Sequence, residues 1–146
     1  MTTNRKRMAA VAAAVAMAAA WGCRDGSAAD AGAWYRIDAA AVTVAPGASG
    51  VAQVKFVPRE GYHWNPEFPA KLKVSDLGTV RAERTDFSLS NGDFRDQGGT
   101  GVLSIPVAAQ AAGTTALKAV ADFSVCNDKE CRIFKQVAVE VPIHVQ

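Results

Sequence analysis

Residues 115–145 read TALKAVADFSVCNDKECRIFKQVAVEVPIHV, with apolar positions recurring mainly at period two on either side of the polar break Asn127-Asp128-Lys129-Glu130. Period two is the spacing of a strand whose alternate side chains face a core. The stretch is therefore expected to form two long strands, about Thr115–Cys126 and Cys131–Val145, folded into a hairpin with the four polar residues as its loop. That register sets Cys126 against Cys131, Phe123 against Phe134, Asp122 against Lys135 and Val120 against Val137. Aromatic, opposite-charge and β-branched pairs are combinations that stabilise cross-strand neighbours. Directly opposed residues lie roughly 4.5–5.5 Å apart at Cα, within the reach of a disulfide.

Towards the N-terminus, Leu103, Ile105 and Val107 alternate, and Gly113 marks a turn. Val51–Val57 places Ala52, Val54 and Phe56 on one face and Gln53 and Lys55 on the other. Shorter strands are expected at Trp34–Asp38, Ala41–Val44, Leu72–Ser75 and Thr79–Glu83. Residues 58–70 hold Pro58, Gly61, Pro66 and Pro69 and read as a loop, yet a loop rich in aromatics: Tyr62, His63, Trp64 and Phe68. Asn91–Gly101 reads as a polar loop, and its Gly98-Gly99-Thr100-Gly101 lacks the Gly-Lys-Ser/Thr ending of a phosphate loop. Only residues 107–113 pull towards helix, over too short a span to change the class. Seven or eight short antiparallel strands predict an all-β, immunoglobulin-like two-sheet sandwich over residues 34–146.

The N-terminal end has a different composition. Arg5, Lys6 and Arg7 precede an uncharged, mostly alanine run from Met8 to Trp21, the layout of a secretory signal peptide. The run is short for a membrane span, which needs about 20 residues. Ala20-Trp21-Gly22-Cys23 resembles a bacterial lipobox, although Trp21 is larger than usual there and Ala20 stands where leucine is common. The competing cleavage sites are Ala18-Ala19-Ala20 and Ser27-Ala28-Ala29. Cysteine parity favours lipidation at Cys23: the chain has three cysteines, and a lipidated Cys23 leaves a clean pair. Residues 1–22 are thus expected to be a signal peptide of lipoprotein type and 23–33 a small, polar tether. Such a protein belongs in the periplasm or cell envelope, held to the membrane by lipid. Removing 1–22 takes away three of the sixteen basic residues and none of the fourteen acids, for a formal charge of −1. Nucleic-acid binding loses its electrostatic basis.

The chemistry-bearing residues are few. The two histidines, His63 and His144, allow a metal site of Cys126, Cys131 and His63 to be imagined. The simpler reading makes His63 a loop residue and turns His144, between Ile143 and Val145, outward, so no metal and no cofactor is expected. No motif singles out a serine for a hydrolytic triad, and Asp93 with Asp96, or Asp128 with Glu130, read as solvated loop charges. The aromatic loop suits either a recognition surface or a cover over the end of the core. What remains is the cysteine pair. Lys129 and Arg132 would favour a thiolate there, and Asp128 and Glu130 oppose it.

The exported immunoglobulin-like domain, the Gly61-Tyr62-His63-Trp64 segment after an alternating strand, and the late Cys126/Cys131 pair together resemble the N-terminal periplasmic domain of the thiol:disulfide interchange protein DsbD family. The resemblance implies a sandwich with two redox cysteines on neighbouring strands, shielded by an aromatic cap loop. Cys126 and Cys131 would be the redox pair, and Tyr62, His63 and Trp64 the cap. In that family the domain receives electrons from a membrane-embedded domain through a thioredoxin-like one and passes them to disulfide isomerases and cytochrome c maturation proteins. Two departures stand out. The family pair is usually spaced slightly wider and followed by a Pro-containing stretch, whereas Arg132-Ile133-Phe134 follows Cys131 here. These 146 residues also contain neither the membrane domain nor a Cys-x-x-Cys thioredoxin domain, so a separate periplasmic thioredoxin-like partner is expected. The rival expectation is a non-enzymatic envelope binding or structural module with a stabilising hairpin disulfide.

Overall fold

The computed structural model describes residues 32–146. The expected signal segment, the lipidation candidate Cys23 and all but the last two residues of the 23–33 tether lie outside the described residues. Alternation becomes burial along each strand. β3 (Ser49–Pro58) buries Ala52, Val54 and Phe56 and exposes Val51, Gln53 and Lys55, as the pleat requires.

One sheet has the order β1-β3-β9-β6, with β8 also paired to β9. Here β1 is Tyr35–Ala39, β6 Val80–Arg81, β8 Phe94–Gln97 and β9 Thr100–Ala109. The second has the order β2-β11-β10-β5-β7, with β4 also paired to β10. Its members are β2 (Val42–Val44), β4 (His63–Trp64), β5 (Lys71–Asp76), β7 (Asp86–Ser88), β10 (Gly113–Cys126) and β11 (Cys131–Val145). The inner faces of the two sheets enclose one apolar core. The chain is therefore an immunoglobulin-like β-sandwich. Consecutive β1 and β2 lie in different sheets, and the crossing between them lays β2 parallel to β11, the one exception to antiparallel pairing among the described strands.

Four sequence expectations need correction. The polar loop at 91–101 contains β8, because Gly98 and Gly99, with φ of 62° and 86°, form the two-residue turn of a β8–β9 hairpin. Within the expected loop at 58–70, His63 and Trp64 pair with β10 as β4. The segment 107–113 is strand up to Ala109, because Val107 and Ala109 fill inward positions. Finally, the hairpin register holds only near its tip. Cys126 pairs with Cys131 and Phe123 with Phe134, but Ala121 pairs with Val137 and Val120 with Ala138, leaving Asp122 without a partner on β11.

A β-bulge causes that shift. Phe134 must face inward beside Phe123, and so must Val137, Val139, Val141, Ile143 and Val145. Three positions separate Phe134 from Val137, so strict alternation cannot serve both sets. One extra residue resolves the conflict, and Gln136 takes a positive φ of 53° to supply it. Asp122 stabilises the bulge by accepting the Gln136 backbone N–H at 2.7 Å. Its other oxygen lies 3.4 Å from Lys71 Nζ, on the opposite neighbour β5.

Candidate functional site: the disulfide end of the sandwich

The β10–β11 turn closes itself. Asn127 donates its N–H to the Glu130 carbonyl at 2.9 Å, and its Oδ1 accepts the N–H groups of Lys129 at 2.9 Å and Glu130 at 2.8 Å. An asparagine bonding backbone groups two and three residues on is a common way to hold a tight turn. Directly beneath it, Cys126 and Cys131 are joined as a disulfide with their Cα atoms 4.0 Å apart. Cys126 is only 5% exposed, whereas Cys131 is open to solvent.

On the other side of Cys126 lies β4, which pairs His63 with Cys126 and Trp64 with Val125. Pairing parity decides the roles of these two residues. Trp64 shares the inward face with Val125 and is wholly buried, 5.7 Å from each of Phe94 and Phe123 in near-parallel stacks and 5.4 Å from Phe56. Gly101 makes room for it, since a Cβ there would collide with the indole. Two backbone bonds pin the segment to both sheets: Trp64 donates to the Gly99 carbonyl at 2.7 Å and Asn65 to the Ser124 carbonyl at 3.0 Å. The indole Nε1 has no hydrogen-bond partner among the described residues.

His63 points the opposite way, to the outer face, and is exposed. Tyr62 is half-buried against Trp34 at 4.7 Å, and Arg132 lies over the Trp34 ring at 4.3 Å. Tyr35 sits between Phe123 and Phe134, and burial pushes its hydroxyl pKa up. The three residues expected to form a cap therefore occupy three environments, and only His63 shares a face with the cysteines. An open hollow of about 450 Å³ adjoins the disulfide, lined by His63, Pro66, Glu67, Asp96, Cys126 and Cys131 among others.

Glu67 and Asp96 were not singled out in the sequence as lining this hollow. Asp96 arrives through the β8–β9 hairpin, where its Oδ1 accepts the Gly99 N–H at 2.8 Å. The Gly98-Gly99 dipeptide was the available signal for that turn. A slightly larger depression of about 470 Å³ lies on the outer face near Lys71, Lys73 and Asp122. Its lining has no sulfur or imidazole. Among the described residues no group of three potential metal ligands comes together.

No family model matches the chain, and no curated protein does. Among solved structures it is similar to a PapD-like domain of human CEP192, at 12% identity and a TM-score of 0.36, covering 77% of this chain and 84% of that one. It is also similar to murine CRIg, at 13% identity and a TM-score of 0.37 over 77% and 98%. A third is the seventh ScaB type I cohesin from Pseudobacteroides cellulosolvens, at 13% identity and a TM-score of 0.36 over 77% and 92%. Likenesses this distant say nothing about the site.

Proposed function

We propose that this domain performs thiol–disulfide exchange through Cys126 and Cys131 in the cell envelope, in the manner of the DsbD N-terminal domain it resembles. The observation that carries this reading is the position of the bond. It spans a turn that Asn127 already closes with backbone and side-chain hydrogen bonds, and it leaves Cys131 exposed. The cysteines are five positions apart, and the chain-entropy model assigns so small a ring only about 2 kcal/mol. Accessible disulfides are the labile ones.

The exchange balances with a dithiol partner. A partner thiolate attacks Cys131 Sγ, a mixed disulfide forms, and the old bond breaks with its electron pair on Cys126 Sγ. The partner's second thiolate then attacks the partner sulfur of the mixed disulfide and releases Cys131 as a thiolate. Two electrons have passed to this domain, the partner leaves as a disulfide, and solvent supplies the protons. A periplasmic thioredoxin-like protein is the kind of partner that presents such a dithiol. Export and lipidation at Cys23 would hold the domain near a membrane-fed electron source; a mature N-terminus whose mass lacks diacylglycerol would remove that part of the proposal.

The reduction potential of the pair tests the central claim. Exchange predicts a value above about −300 mV, together with mixed disulfides trapped on Cys131 in a Cys126→Ser variant. A lower potential and no trapped species would identify a stabilising bond in a non-enzymatic envelope module instead.

A further inference from the structure

We infer that His63 is the positioning residue for exchange, placed to meet the negative charge that appears on Cys126 when the disulfide opens. The inference rests on the exchange reading above and adds to it which sulfur is attacked and which leaves. Its basis is a row of three residues across three strands: His63 on β4, Cys126 on β10 and Cys131 on β11, each directly paired with the next. Directly paired residues project to the same face with Cβ atoms roughly 4.5–5.5 Å apart. Cys126 thus has Cys131 paired on one side and His63 on the other.

The placement of His63 is built rather than incidental. A two-residue strand would not hold its register alone, but Trp64 anchors β4 from inside the core, and its backbone is bonded to the Gly99 carbonyl. The β8–β9 turn backs against His63 so closely that a Cβ on Gly99 would come within 3.4 Å of the His63 Cβ. His63 borders the hollow together with Cys126.

The other charged groups nearby do not take this role. Glu67 and Asp96 line the hollow and repel a thiolate, as do Asp128 and Glu130 on the turn. Lys129 lies on that turn, outside the paired row that holds His63 and Cys126. Arg132 pairs with Val125 on the inward face, and its guanidinium lies over Trp34. His63 is the basic side chain paired directly with Cys126.

In the first step a partner thiolate bonds to the exposed Cys131 Sγ, the Sγ–Sγ bond breaks, and the electron pair remains on Cys126 Sγ. Its charge is met by the His63 side chain across the row. A better-stabilised leaving thiolate leaves faster, so the row directs attack to Cys131.

The test uses the full chain. In a Cys131→Ser protein, the Cys126 thiolate is titrated by its ultraviolet absorbance, with His63, His63→Gln and His63→Lys compared. An opposite charge within about 4–6 Å of a thiol lowers its titration midpoint by about one unit or more. Removing it in His63→Gln should raise the Cys126 midpoint by about that amount, and His63→Lys should return most of the shift. With both cysteines present, reaction with reduced glutathione should slow several-fold in His63→Gln and recover in His63→Lys. Three superimposable titrations would overturn the inference, even with mixed disulfides trapped on Cys131, and the exchange reading would survive. A potential in the structural-disulfide range would overturn exchange, while the titration would still decide whether His63 acts on Cys126.

Discussion

The β10–β11 hairpin runs from one end of the sandwich to the other, and its two ends are filled by different chemistry. Where Gly113 pairs with Val145, the core is aliphatic: Val44, Leu117, Val141, Ile143 and Val145. Where Cys126 pairs with Cys131, it is aromatic: Phe56, Trp64, Phe94 and Phe123, flanked by Tyr35 and Phe134. Aliphatic side chains fill space by alternation alone. Aromatic rings prefer offset or edge contacts and so carry orientation as well as area. The aromatic end can therefore fix a two-residue strand, and with it His63, beside the disulfide.

Truncation at each end gives the largest expected effects. Trp64→Ala should cost about 3–5 kcal/mol and Leu117→Ala about 2–5 kcal/mol, both read by urea unfolding. Because these ranges overlap, the discriminating measurement is local. Amide exchange at Cys126 should rise in Trp64→Ala beyond what the global loss explains, and should follow only the global loss in Leu117→Ala. Equal local effects would break the comparison, since the aromatic end would then be ordinary core.

Gly101→Ala probes the same end from the opposite direction, by adding volume instead of removing it. The new methyl group collides with the Trp64 ring, and overpacking of this kind costs about 1–3 kcal/mol. The Trp64 environment should change with it, visible in near-ultraviolet circular dichroism.

Opening the disulfide should matter less to stability than its place at the end of the core suggests. Replacing both cysteines by alanine is expected to lower unfolding stability by about 2 kcal/mol or less, because Asn127 continues to hold the turn. A loss near the upper end of the range for native disulfides, about 5 kcal/mol, would make the bond a staple and count against exchange.

How much of this contrast was legible in the sequence follows from the physics of each part. The long strands and the Cys126–Cys131 pairing could be read because period two and the turn residues act locally. The register beyond Phe123 could not. The bulge at Gln136 exists to reconcile an aromatic row with an aliphatic one, and that conflict arises only when both strands meet the same core. Asp122 illustrates the point: its charge was legible, but its partners are the Gln136 N–H and Lys71 on another strand, instead of Lys135. Tyr62, His63 and Trp64 were visible as a group and are divided by a two-residue strand too short to announce itself. The Gly98-Gly99 turn had a local signal that its polar surroundings masked.

The smallest expected effect concerns the link that carries Phe94 to the aromatic end. Asp93 Oδ1 accepts from Arg84 Nη2 at 2.6 Å, and Asp93 Oδ2 accepts the Ser88 N–H at 2.9 Å, tying β7 of one sheet to the start of β8 in the other. The Arg84 hydrogen bond, helped by the Ser88 N–H and the Arg84 charge and opposed by partial desolvation, holds the Asp93 carboxyl below its ordinary pKa. A carboxylate depressed in the folded state stabilises above its unfolded pKa, and that contribution is lost as pH falls through the folded value. The difference in unfolding stability between the natural chain and Asp93→Asn should therefore be constant near neutrality. It should begin to shrink below about pH 4, with the exposed arginine keeping its size within the small range of surface pairs. A difference that grew on acidification would reverse the sign and detach Asp93 from the support of Phe94. A difference that shrank as expected, with Cys126 amide exchange unchanged, would show that the aromatic end is held from the Trp64 side alone.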